Sequence, residues 1–431
     1  MFLKRYFQNI LKKDIYKNTL ILFSGSSAAQ IIPLLATLIL TRIFTKEQFG
    51  VFFIYSSLCM VLSMFITLRL ELSIVLPSDK NQSKILLFTS IFTSIVLSVF
   101  LFITITLFYT PITKMLGDRN IGRLLLILPF SLILLGITQS YSYWFNRNNR
   151  YKTISIAKIL KSTTSSIVQI ILGLFAFMKY GLIAGLISGQ FIAAFYSIIT
   201  GYKDKIITTS NVTLNKMFHL VKKYKEIPIF NTGIAVSNTL SNHLPIFLLS
   251  SFYSLEITAL YGLANRIIAT PLGLISESVG QVLFNEASKR YNQGENIRNL
   301  VKSAYKKLFR IAIIPTVLLT IFAPYLFSIS FGKEWEMAGT FTQLLIPWLF
   351  LMFLNSPMSY IIIILNKQKQ LLIYDILLLI SRFFALYTGY KIYNNTSITI
   401  IFYALVGALF NLFLLFYILK ISNTTKKVET N

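Results

Sequence analysis

Long apolar runs, each broken by a few polar residues, follow one another along the whole chain. A helix needs about 18 or more such residues to cross roughly 30 Å of hydrocarbon. Twelve spans are predicted on this pattern, near 18–41, 49–76, 86–108, 121–144, 153–177, 182–200, 228–251, 258–284, 304–323, 339–365, 371–390 and 398–419. One run resists a simple reading: TLRLELSIVLPSD at 67–79 alternates Leu68, Leu70 and Leu72 with Arg69 and Glu71, which locally suggests a half-buried strand. An open strand leaves backbone groups unsatisfied in lipid, so the run is assigned to the inner end of a helix beginning near Phe49. Two further segments are amphipathic. Residues 1–17 carry Phe2, Tyr6, Phe7, Ile10 and Leu11 at helical spacing among lysines, which predicts a helix lying on the inner leaflet. Within the longest connection, 201–227, Leu214, Met217, Phe218 and Val221 form the expected apolar stripe.

Composition settles the class. Of 431 residues, 55% are hydrophobic and 15% aromatic, more apolar surface than a soluble domain of this length can hide. The chain reads as an all-α polytopic membrane protein. Its first span is too long for a signal peptide and shows no small-residue cleavage pattern, so no cleavable signal is expected. The single cysteine, Cys59, excludes an internal disulfide or a cysteine metal cluster, and His219 and His243 are the only imidazoles. No catalytic residue, metal or cofactor is expected.

Charge adds orientation. The net charge of +26 raises the question of nucleic acid, but its distribution answers it. With the twelve spans in place, 25 lysines and arginines fall on one side of the membrane and 8 on the other. The positive-inside rule then puts both termini and the 201–227 linker in the cytoplasm of a multi-pass inner-membrane protein. The basic side attracts anionic membrane lipids, and no nucleic-acid partner is needed.

The spans also divide into two similar sets. An offset of 209 residues lays LTRIFTKEQFGVF (40–52) on LSSFYSLEITALY (249–261), with Thr45 on Ser254 and Glu47 on Glu256. An offset of 218 lays Pro129 on Pro347 and the turn at Asn148 on that at Asn366. This predicts two parallel six-helix lobes, 18–200 and 228–420, followed by a cytoplasmic tail at 421–431. Parallel repeats are a known transporter architecture that binds substrate between the lobes.

The segments LTRIFTKEQFGVFFIYSSL, LRLELSIVLPSD, WFNRNNRY, LYGLANRIIATPLGLISESVGQVLFNEASKRY and SFGKEWEMAG give the chain a familiar look over nearly its whole length. It resembles the polysaccharide-export branch of the multidrug/oligosaccharidyl-lipid/polysaccharide superfamily, the flippases of lipid-linked O-antigen and capsule repeat units. The resemblance implies a V-shaped pair of lobes. It also implies translocation of an undecaprenyl-pyrophosphate-linked oligosaccharide for O-antigen, capsule or exopolysaccharide synthesis. A polysaccharide polymerase and a chain-length regulator are then implied as partners.

Charges inside the spans mark the candidate site. A central charge costs about 2.5–3.5 kcal/mol on the insertion scale unless it is paired or hydrated. Lys158 and Lys161 share a face of the fifth span, Arg266 lies in the eighth and Arg382 in the eleventh, with Arg69 near the inner end of the second. These cations, with Asn238 and Asn242 on the seventh span, are the expected contacts for pyrophosphate or acidic sugar. The Asn residues also suit hydrogen bonding between helices, and Arg69 also suits snorkelling to lipid phosphates. Glu277 and Asp375 are the candidate carboxylates for coupling to a proton or sodium ion. A multidrug antiporter of the same superfamily is the first alternative, but an excess of cations would repel its usual cationic cargo. A membrane glycosyltransferase or polymerase is the second, and the short external connections leave it no sizeable catalytic loop.

Overall fold

The computed structural model describes residues 2–115, 119–175, 180–203 and 212–423. It is helical throughout, with no strand among the described residues. The chain divides into two compact units, Met1–Val236 and Ser237–Asn431, and the division falls inside one helix.

The first unit holds α1 (Phe2–Ile43), α2 (Lys46–Ile66), α3 (Lys80–Leu107), α4 (Tyr109–Met115), α5 (Arg119–Leu125), α6 (Leu128–Arg147), α7 (Tyr151–Leu174), α8 (Gly181–Lys203) and α9 (Leu214–Lys223). Helix α10 (Glu226–Phe252) carries the chain into the second unit. There follow α11 (Leu255–Asn292), α12 (Arg298–Phe331), α13 (Glu336–Asn355), α14 (Ser359–Ile364), α15 (Gln368–Thr388) and α16 (Thr396–Ile421). Ten helical stretches among the described residues are long and apolar enough to cross a membrane. Helices α7 and α10, with 24 and 27 residues, lie over the fifth and seventh predicted spans. Lysines break the apolar run of α7, as asparagine, serine and histidine break that of α10.

The expected helix over 49–76 is corrected. Helix α2 stops at Ile66, and a separate 3-10 turn spans Leu70–Val75. Between them Leu68 and Arg69 take left-handed backbone, at φ 49° and 56°. Each such non-glycine residue costs on the order of 1–2 kcal/mol. What offsets that cost is anchoring on both sides of the break. Ile74 is buried in a core cluster with Leu86, Tyr141, Trp144 and Phe145. Arg147, at the end of α6, donates to the carbonyls of Val75 and Ser78 at 3.2 Å each. Two of the family-like motifs, LRLELSIVLPSD and WFNRNNRY, therefore touch one another.

Helix α1 runs unbroken from Phe2, so no turn separates the amphipathic 1–17 segment from the first span. Helix α9 forms as expected, but with a different buried face. Leu220 enters the same core as Trp144, with Met217 and Tyr224 packed beside it, while Leu214 and Phe218 stay exposed. Met217, Leu220 and Tyr224 are spaced three and four apart, which is one side of a helix.

The repeat appears as matched helix ends. Thr45 caps α2 with a full capping box, and Ser254 caps α11 by accepting from the Ile257 N–H. The second match needs a shift of one residue. It is Asn149, at φ 55°, that corresponds to Asn366, also at φ 55°. Both turns close alike: the Arg150 N–H donates to the Phe145 carbonyl and the Lys367 N–H to the Ile362 carbonyl.

Candidate functional site

In the second unit, α10, α13, α15 and α16 converge on Arg382, which is 1% exposed. Its guanidinium carbon lies 4.7 Å from the ring centres of both Trp348 and Tyr403. The two rings lie to one side of it, edge to face with their centres 5.1 Å apart, and a desolvated cation can gain about 2 kcal/mol from such a ring. Gly407 makes the clamp possible: a Cβ there would lie 2.6 Å from Trp348 Cδ1 and 3.1 Å from Arg382 Nη2. One edge of the guanidinium faces α10. Arg382 Nη1 donates to Ser241 Oγ at 2.9 Å, to the Ser241 carbonyl at 3.3 Å and to Asn242 Oδ1 at 3.1 Å.

From there the polarity runs one way. Asn242 Nδ2 donates to Asn238 Oδ1 at 3.3 Å, and Asn238 Nδ2 donates to Asp375 Oδ1 at 3.4 Å. Asp375 is 3% exposed. Both amides accept on the side of the cation and donate towards the carboxylate, so their dipoles align between the two charges. The arrangement is an ion pair relayed through two amides. It lets two buried charges compensate each other without direct contact, and unpaired each would cost several kcal/mol.

Four of the sequence candidates are thus brought together: Arg382, Asn242, Asn238 and Asp375. Arg266 lies half-buried on α11. Glu277, further along α11, is exposed and acts electrostatically on Tyr360. The two carboxylates proposed for ion coupling therefore occupy different surroundings.

In the first unit, Lys158 Nζ donates to Ser26 Oγ on α1 at 2.8 Å. The small-residue run SGSSAAQ lets α1 come this close, since a Cβ on Gly25 would overlap Ser155 of α7. Lys161, one turn on, lies within electrostatic reach of the buried Cys59 thiol. Nearby, the Tyr55 and Ser131 hydroxyls are 2.7 Å apart. Arg69 reaches Glu71, its Nη1 lying 3.4 Å from Oε1; the carboxylate side chain is 1% exposed and the arginine 23%. Both Glu71 oxygens and the hydroxyls of Thr67 and Ser73 are buried without a hydrogen-bond partner. Among the described residues no group of three His, Cys, Asp or Glu side chains could hold a metal ion.

Sequence reasoning missed Ser241, Trp348, Tyr403 and Gly407. Each is an ordinary residue of an apolar or weakly polar helix face, and only the fold assembles them. Arg147 is one of the basic residues counted on the inner side, and its grip on the 3-10 turn carries no local signal.

Residues 39–339 match the family model of a polysaccharide biosynthesis protein. No match is found among curated proteins. The fold is similar to that of the lipid II flippase MurJ in an inward closed conformation. That match has a TM-score of 0.75 at 16% identity, covering 93% of this chain and 90% of the other. It is also similar to an inward-facing multidrug resistance transporter of the MATE family, within the MOP superfamily. Here the TM-score is 0.65 at 14% identity, with 93% and 94% covered. A third likeness is to a MOP superfamily transporter from Pyrococcus furiosus, described as having a binding pocket of reversed polarity, at TM-score 0.65 and 14% identity over 96% and 97% of the chains. The chain belongs to the polysaccharide biosynthesis protein family and has the fold of the MOP superfamily of transporters and flippases.

Proposed function

We propose that this protein is a flippase that carries an undecaprenyl-pyrophosphate-linked oligosaccharide across the bacterial inner membrane, from the cytoplasmic to the outer leaflet. The observation that carries the reading is the family match over 39–339 on a transporter fold. The charges within the helices support it: Lys158 and Lys161 lie on α7, over the fifth predicted span, and Arg266 on α11, which is long and apolar enough to cross a membrane. An anionic headgroup gains from such cations, whereas a cationic drug is repelled. Arg266 is assigned the pyrophosphate contact, which its planar fork can bind through two hydrogen bonds. Arg382 is assigned a positioning role, because its guanidinium is already held by two rings and by α10. Asp375 is compensated by Arg382 through the amides, which leaves the exposed Glu277 the freer of the two candidates for a coupling proton or sodium ion.

The test uses a strain lacking this protein. Its membranes should accumulate the lipid-linked oligosaccharide, lose surface polysaccharide, and recover both on complementation. Arg266→Ala should reach normal abundance yet fail to complement, with Arg266→Lys partly active. Surface polysaccharide unaffected by the deletion would overturn the function. Full complementation by Arg266→Ala would remove only that residue from the site.

A further inference from the structure

The first 13 residues of α12 carry Arg298, Lys302, Lys306, Lys307 and Arg310, and no acidic residue stands anywhere on this helix. Residues 311–331, which follow, carry no charge at all. At about 1.5 Å per residue those 21 residues span roughly 31 Å, the thickness of the hydrocarbon layer. That fixes Arg310 near the membrane boundary, with Lys306 and Lys302 one and two turns beyond it, at the level of lipid headgroups.

A groove opens beside these lysines. Its volume is about 270 Å³, and it lies between α12, α13 and α16, entirely within the second unit. Lys302 and Lys306 stand at its rim; Tyr305 and Leu354 form the floor; Phe309, Leu415 and Leu419 form the walls. The floor is fixed from behind. The Tyr305 hydroxyl donates to Asn355 Oδ1 at 2.9 Å, and Asn355 Nδ2 donates to the Asn411 carbonyl at 2.6 Å. This buried network ties the three helices together, so the groove is preformed rather than opened by a ligand.

We infer that this groove is a binding site for an anionic phospholipid, with the phosphate held by Lys302 and Lys306 and an acyl chain seated along Phe309, Leu415 and Leu419. Charge chooses the headgroup, because two lysines without a carboxylate on their helix attract an anion and give a zwitterionic headgroup no advantage. The walls choose a lipid over a free anion, because everything below the lysines is apolar. Size limits the contact to part of one lipid, since the volume is at the lower end for small-molecule sites. The site is separate from the Arg382 relay and from Arg266, and does not depend on the transported cargo. Under the positive-inside orientation it faces the inner leaflet.

The test is native mass spectrometry of the purified full-length protein in neutral detergent, titrated with phosphatidylglycerol or phosphatidylcholine. Wild type should retain phosphatidylglycerol preferentially. Lys302→Gln/Lys306→Gln should lower that affinity roughly thirtyfold, the effect expected of two lysines beside an anionic lipid. Its phosphatidylcholine binding should not change. Lys302→Arg/Lys306→Arg should keep the preference, and so should Lys216→Gln/Lys222→Gln, which neutralises two of the three exposed lysines of α9. Leu419→Trp should weaken phosphatidylglycerol with both lysines intact, because the indole fills the acyl path. If the glutamine pair proves unstable, the arginine pair set against Leu419→Trp still decides. An unchanged preference in the glutamine pair, or an equal loss in the α9 control, would overturn the site. Equal protection by inorganic phosphate would make it a free-anion site. Displacement by equimolar undecaprenyl phosphate would give the groove to the cargo lipid. Either of these also overturns the phospholipid assignment.

Discussion

At the scale of the residue, Arg382 shows why a buried charge need not be a ligand contact. A cation at the centre of a span costs several kcal/mol unless it is compensated. Here two rings, a serine and an amide chain ending on Asp375 provide the compensation. The relay makes a specific demand. Arg382→Met should strand the Asp375 carboxylate and destabilise the protein by about 3–5 kcal/mol, as breaking a buried pair does. Asp375→Asn should also destabilise it, because the guanidinium loses its counter-charge. The double variant Arg382→Met/Asp375→Asn should recover much of the loss, since no charge is then left unpaired. Melting of the detergent-purified protein, followed through the three variants, measures this coupling. Strictly additive losses would show that the amides do not connect the two charges. Part of this was legible beforehand: a seven-residue spacing places Arg382 and Asp375 on one face of a helix. The clamp was not. Ser241 lies 141 residues from Arg382, and no local periodicity reports a contact of that range.

At the scale of the element, apolar pattern located the long helices but not the end of α2 or the buried face of α9. Over 67–76 the pattern continues, yet the helix stops, because Leu68 and Arg69 adopt a backbone that an unbroken helix forbids. Hydropathy cannot foresee this, since the break is stabilised by Arg147 and by core packing from α6. Helix α9 departs from its pattern in a different way. Its pattern predicts a stripe of Leu214, Met217, Phe218 and Val221, whereas the buried residue is Leu220, whose neighbours Met217 and Tyr224 complete that side. The consequence is that α9 is a fixed part of the first unit and more than a tether. Leu220→Ala should destabilise the first unit by about 2–5 kcal/mol, the usual cost of emptying a buried leucine site. Phe218→Ala, at a position 76% exposed, should cost under about 0.5 kcal/mol. Thermal melting of the two variants side by side decides, and equal costs would mean that α9 is not docked as described.

At the scale of the whole molecule, orientation in the membrane follows from where charge is absent as much as from where it gathers. Residues 311–331 form an uncharged stretch of membrane length, preceded by five basic residues and followed by the turn at Gly332. If the basic end is cytoplasmic, the turn carrying Lys333 and Glu334 faces outward, and α9 with its lysines faces inward. Cysteine labelling tests this cleanly, because the chain's one native thiol, Cys59, is buried. In a Cys59→Ser background, Glu334→Cys should react with a membrane-impermeant maleimide in intact spheroplasts. Lys216→Cys, also at an exposed position, should react only after the membrane is opened. The opposite pattern would invert every helix, moving the groove beside Lys302 and Lys306 to the outer leaflet and reversing the direction proposed for transport. It would leave the phospholipid affinity measured in detergent unchanged, since that affinity depends on the groove and not on the side it faces.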